Sequence, residues 1–104
     1  MRATLLLCAL ALASVVAGQE KSSWTGALAD AACKQRTPEA ACPVDAGTRA
    51  FALVTADGTA PLDAAGNRQA AAAVAAEGSK GNPSATVVGA LADGKIQVES
   101  LKLD

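Results

Sequence analysis

The first eighteen residues decide how much of this chain is left to fold. Met1-Arg2-Ala3-Thr4 carries one positive charge, Leu5 to Ala17 is apolar apart from Ser14, and Val15-Val16-Ala17-Gly18 supplies small side chains. A charged segment, a short apolar segment and a small-residue cut site make a secretory signal peptide. The apolar run is shorter than the roughly 20 residues a spanning helix needs. The expected organisation is a signal peptide over 1–18 and one small domain over 19–104. The mature chain is expected to begin at Gly18 or Gln19, to be secreted or periplasmic, and to keep no stable membrane anchor. Acylation of Cys8 is disfavoured, because Leu5-Leu6-Leu7 precedes it and almost no apolar segment comes before.

Cleavage changes the cysteine count. Cys8 leaves with the signal, and Cys33 and Cys42 remain, with eight residues between them. Two cysteines in an exported domain of this size read as one disulfide. Chain entropy gives a bridge over such a loop roughly 2.5–3 kcal/mol, a large share of a small domain's stability. A redox pair is the alternative, but the spacing is not C-x-x-C and no histidine is present to lower a thiol pKa. Two cysteines without histidine also fall short of a structural zinc site. No metal and no cofactor are expected.

Removal of the first 17 residues leaves 87 residues, with eight basic against ten acidic side chains, a net of −2. No basic block is present, so a nucleic-acid partner is not expected. Trp24 and Phe51 are the only aromatic residues, too few for a stacking platform. Their place in apolar, strand-like runs favours a core role. The larger side chains available for a core are Trp24, Leu28, Phe51, Leu53, Val54, Leu62, Val74, Val87, Val88, Leu91, Ile96, Val98, Leu101 and Leu103.

Along the chain, Ser23 to Ala31 reads as a first strand, with Trp24, Gly26 and Leu28 on one face at period two. Cys33 to Gly47 carries Pro38, Pro43 and both cysteines and reads as a loop, with one helical turn starting at Thr37-Pro38. Arg49 to Ala56 is a second strand, and Asp57-Gly58 signals a hairpin. Thr59 to Leu62 is a third strand, confined to an edge by Pro61. Asp63 to Glu77 is the one helix, alanine-rich, with Asn67 or Asp63 as its N-cap and Gly78 just past its end. Ala85 to Leu91 and Lys95 to Leu103 are the fourth and fifth strands, joined by Asp93-Gly94. Ser100 breaks the alternation of the last strand, so a bulge is expected near it.

Five strands with one helix between the third and fourth predict a mainly β fold: a small, partly open OB-like barrel. The chain also resembles a group of small exported bacterial proteins with an OB-like fold and no assigned function. The shared features are a Trp-x-Gly-x-Leu-x-Asp-x-x-Cys stretch (Trp24 to Cys33), a Gly-Asn pair at the helix (Gly66-Asn67) and a Gly-x-x-x-x-Gly-x-Ile-x-Val-x-Ser ending (Gly89 to Ser100). These are mainly turn and packing residues, so the resemblance implies fold more than chemistry.

No histidine or tyrosine exists in the chain, which removes Ser-His-Asp and Cys-His catalysis. Asp57 and Asp63 could face each other across the hairpin as paired carboxylates or a calcium site, but turn and cap chemistry explains both. Asp30 precedes the disulfide loop with no local rule asking for it; it either binds backbone N–H groups of that loop or belongs to a ligand face with Trp24 and Phe51. Lys80-Gly81-Asn82 lacks the helix start of an anion cradle. The expectation is a non-enzymatic exported module that binds an unidentified small ligand; the alternative is a structural or envelope protein-interaction domain pairing through a sheet edge. Intact-mass measurement of the exported protein should show loss of the first 17 or 18 residues. A retained Met1 or a diacylglycerol on Cys8 would contradict the export reading.

Overall fold

The computed structural model describes residues 21–104; the expected signal peptide, with Cys8, lies outside them. The elements run β1 (Ser22–Asp30), α1 (Ala31–Arg36), β2 (Phe51–Thr55), β3 (Gly58–Pro61), α2 (Ala64–Glu77), β4 (Ser84–Ala92) and β5 (Lys95–Leu103). The strands form one antiparallel sheet in the order β3-β2-β1-β4-β5. The expected mainly β architecture is present, with α2 between the third and fourth strands, and the sheet is not closed.

Sequence alternation explains which side chains go inside. Leu28, Phe51, Leu53, Val87, Ile96, Val98 and Leu103 bury on the same core, together with Ala70 and Val74 of α2. β1 serves both halves of the sheet. Ser22 to Ala27 pairs with β4, and Ala27 to Asp30 pairs with β2, so only Ala27 has partners on both sides. Gly26 stands at this handover. A Cβ there would run into the carbonyl oxygen of Val54, so the close approach of the two strands excludes any larger residue.

The hairpins follow their turn chemistry. Asp93 (φ 55°) and Gly94 (φ 73°) form the two-residue loop between β4 and β5, and two positive φ values match the twist of the flanking strands. The β2–β3 loop is displaced by one residue from the expected Asp57-Gly58. Ala56 and Asp57 make the turn, while Gly58, at φ 134°, already pairs with Thr55. In β5, Val98 pairs with Gly89 and Ser100 with Val88, leaving Glu99 as the extra residue of the bulge expected near Ser100. The bulge restores Leu103 to the buried side.

Asp63, not Asn67, caps α2. Its Oδ1 accepts from the Gly66 N–H at 2.8 Å and from the Val98 N–H of β5 at 3.2 Å. Asn67 lies inside the helix, and its Oδ1 accepts the Phe51 N–H at 2.9 Å. The helix starts early because Ala64 and Ala65 are good formers and the Asp63 carboxylate satisfies a strand donor as well as a helix donor. At the other end Gly78 (φ 61°) closes the helix as expected. Gly66, Ala70 and Val74 form the buried stripe, small enough that a Cβ on Gly66 would strike Val98 Cγ2.

The expected core needs four changes. Leu91 is 60% exposed, and Val54 and Val88 are only half-buried because they alternate onto the outer face. Val44, from the disulfide region, is buried instead. Asp63→Ala should destabilise the fold by about 2–3 kcal/mol, since it removes a helix cap and leaves the Val98 N–H without its acceptor. Urea denaturation checks this, and Asp63→Asn should recover part of the loss.

Candidate functional site

The sheet's two edges nearly meet. Leu62 and Ile96 form a single parallel bridge, and the Asp63 N–H donates to Ile96 O at 2.9 Å. Beside this seam lies a cleft of about 300 Å³. β1 contributes Trp24, β2 contributes Leu53 and Thr55, β3 contributes Thr59 and Ala60, and β5 contributes Ile96. Both hairpin loops reach it, through Asp57 and Gly94, and the exposed Leu91 stands at its margin. No residue of α2 lines it.

Trp24 is half-buried, packed against the core on one side and lining the cleft on the other. Phe51 is wholly buried and lines no part of this cleft, so its ring is core and cannot present itself to a ligand there. Its alternation with Ala52 points it to the same side as Leu53. Asp30 is equally remote from the cleft. Its carboxylate accepts the Cys33 N–H at 3.1 Å and caps α1. The loop-binding expectation for Asp30 is the one its geometry meets. Of the three residues expected on a ligand face, only Trp24 stands on the cleft.

Asp57 and Asp63 do not form a carboxylate pair of metal-site character. Asp63 is committed to backbone donors, and among the described residues no group of three or more potential metal ligands is assembled. Asn82 of the Lys80-Gly81-Asn82 loop is structural: its Nδ2 donates to Leu28 O at 3.0 Å and Ala41 O at 2.8 Å.

Cys33 and Cys42 are bonded, with Cα atoms 5.5 Å apart. The first partner sits in α1, a helix the sequence reading missed. The expected turn at Thr37-Pro38 falls instead where α1 ends, with Thr37 as its C-cap. Cysteine and proline spacing obscured it; Asp30 followed by Ala31-Ala32 was the available signal. Six residues cannot sustain a helix alone. α1 is held by its Asp30 cap, by the disulfide, and by Lys34, whose Nζ donates to Ala40 O at 2.7 Å and Pro38 O at 3.2 Å. Cys42 adopts φ 52°, and its carbonyl accepts the Asp30 N–H at 2.8 Å, so the bridged loop folds back along the end of β1. A second cleft of about 250 Å³ separates α1 from β2 and β3. Its one basic residue is Lys34, whose ammonium those carbonyls already occupy.

Comparison with protein families, with curated proteins and with solved structures returns no match. The disulfide is the best-defined covalent feature of the fold. Cys33→Ala should lower stability by about 2–4 kcal/mol, and the double variant Cys33→Ala/Cys42→Ala should lose a similar amount. Alkylation of the native, unreduced protein should label neither cysteine; a stability change near zero would argue against a stabilising bridge.

Proposed function

We propose that the chain is an exported, non-enzymatic OB-like module that takes an apolar ligand group into the cleft beside Trp24. The strand order, the parallel Leu62–Ile96 approach of the two edges and the helix between β3 and β4 support the OB-like assignment. OB-folds use the face of strands 2 and 3 and the loop between strands 4 and 5 for ligands. Leu53, Thr59, Ala60 and Gly94 of the cleft come from those places. The observation that carries the reading is the lining: Trp24, Leu53, Ala60 and Ile96 are apolar, and no basic side chain is among the lining residues. Such a site has nothing to hold a phosphate backbone, which favours a small apolar ligand over nucleic acid. The disulfide is consistent with an oxidising extracellular or periplasmic location.

The rival reading, an envelope-interaction domain that pairs through a sheet edge, has less support. On β5, Ile96 O, the Val98 N–H and Glu99 O are engaged by Asp63 and Gln69. On β3, Leu62 N–H donates to Phe51 O, so alternation turns Pro61 toward the free edge, where it offers no N–H. Both edges are poor templates for a further strand.

Trp24 is the chain's single tryptophan and there is no tyrosine, so intrinsic emission reports the cleft directly. Titration with hexanol should give a saturable change in Trp24 emission. Leu91→Glu, at the exposed margin, should weaken it several-fold without changing the far-ultraviolet circular dichroism. A linear, unsaturable response in the folded protein would overturn the reading.

A further inference from the structure

The cleft is lined by one acidic residue as well as an apolar wall. Asp57 is the one charged residue among those lining it. Its backbone N–H donates to Thr55 Oγ1 at 3.1 Å, which fixes the turn, but among the described residues its carboxylate has no hydrogen-bond donor and no ion-pair partner; the ion pair present is Lys21–Glu99. Across the same cleft, Trp24 offers an indole that is only partly covered by the core. An aromatic residue and an unpaired acidic residue lining one small apolar cavity are the two elements that recognise an organic cation: a ring quadrupole attracts the positive charge and a carboxylate compensates it. The absence of any lysine or arginine from the lining means nothing there competes for Asp57 or attracts an anion.

We infer that the cleft selects a small organic cation, an ammonium carried on an apolar body. This rests on the cleft being a binding site at all. The volume, about 300 Å³, lies at the lower end of ligand pockets and suits one compact body better than a chain segment. The apolar part lies against Leu53, Ala60 and Ile96, and the ammonium stands between Trp24 and Asp57. Because Asp57 is exposed, its share is modest and sensitive to salt. Together with the indole it should favour the cation by about five- to tenfold over a neutral molecule of the same size.

The test compares hexylammonium, hexanol and hexanoate, three probes with the same chain length, by Trp24 emission at neutral pH and low salt. Hexylammonium should bind about five- to tenfold more tightly than hexanol, and hexanoate more weakly than either. Asp57→Asn should bring hexylammonium down toward hexanol while leaving hexanol unchanged. It loses no side-chain partner in the fold, so circular dichroism and thermal melting should match the parent. Glu77→Gln, an equal change in net charge at the exposed end of α2, should leave the preference intact. If hexanol saturates but hexylammonium binds no better, or if Asp57→Asn keeps the preference, the cation assignment is overturned and the apolar cleft stands. If no probe gives a saturable change, both fall.

Discussion

One carboxylate ties the helix to the sheet where the two sheet edges approach each other. Asp63 follows β3, caps α2 and bonds to β5. Its Oδ1 takes a helix donor from Gly66 and a strand donor from Val98, while its own N–H reaches Ile96 O. That backbone bond belongs to the Leu62–Ile96 bridge between the sheet's free edges, and the carboxylate braces it from both sides. The helix then sits down on β5 through Gly66, Ala70 and Val74, a stripe with almost no side-chain bulk. That closeness is possible because the anchor fixes the helix's first turn against the strand. Asn67 continues the same logic one turn later by taking the Phe51 N–H, so α2 is bonded to both β2 and β5.

The other side of the sheet is organised differently. There the covering layer is short and stapled. α1 and the bridged loop lie at the β1–β2 end, tied by Asp30 in both directions: its carboxylate caps the helix and its N–H meets the Cys42 carbonyl. Ala29 and Ala52 are buried there although each has only a methyl group. The paired backbone contacts Val44 with Gly81 carry the loop across to the segment after α2. This layer is built from backbone hydrogen bonds and one covalent link, whereas the α2 side is built from a capped helix on an apolar core.

Local rules made much of this legible. Strand alternation located all five strands to within a few residues, Pro61 identified an edge strand, Asp93-Gly94 identified a turn, and the broken phase at Ser100 identified a bulge. What was illegible depended on tertiary partners. Asp63 and Asn67 are both acceptable caps by local chemistry, and only the Val98 and Phe51 N–H groups separate their roles. Leu91 has the chemistry of a core residue, yet it stands exposed near the β4–β5 turn, at the cleft. α1 was hidden because a six-residue helix has too little periodicity to compete with a cysteine–proline pattern. For the candidate site, Trp24 was identifiable as one of two rings, but Asp57 was explained by its turn, and nothing in a linear reading brings it onto the same cleft as Trp24.

The extra residue in β5 separates two properties that a regular strand keeps together. Removing Glu99 would leave Ile-Gln-Val-Ser-Leu-Lys-Leu, whose apolar residues all still fall on one side. With Glu99 present the bulge is what keeps Leu103 on the buried side; without Glu99 a regular strand would do the same. Curvature differs: a bulged strand bends and twists more strongly than its partner, and here the bend falls where Gly89 lets the Gln97 backbone come close. A chain lacking Glu99 would be correctly sided but straighter.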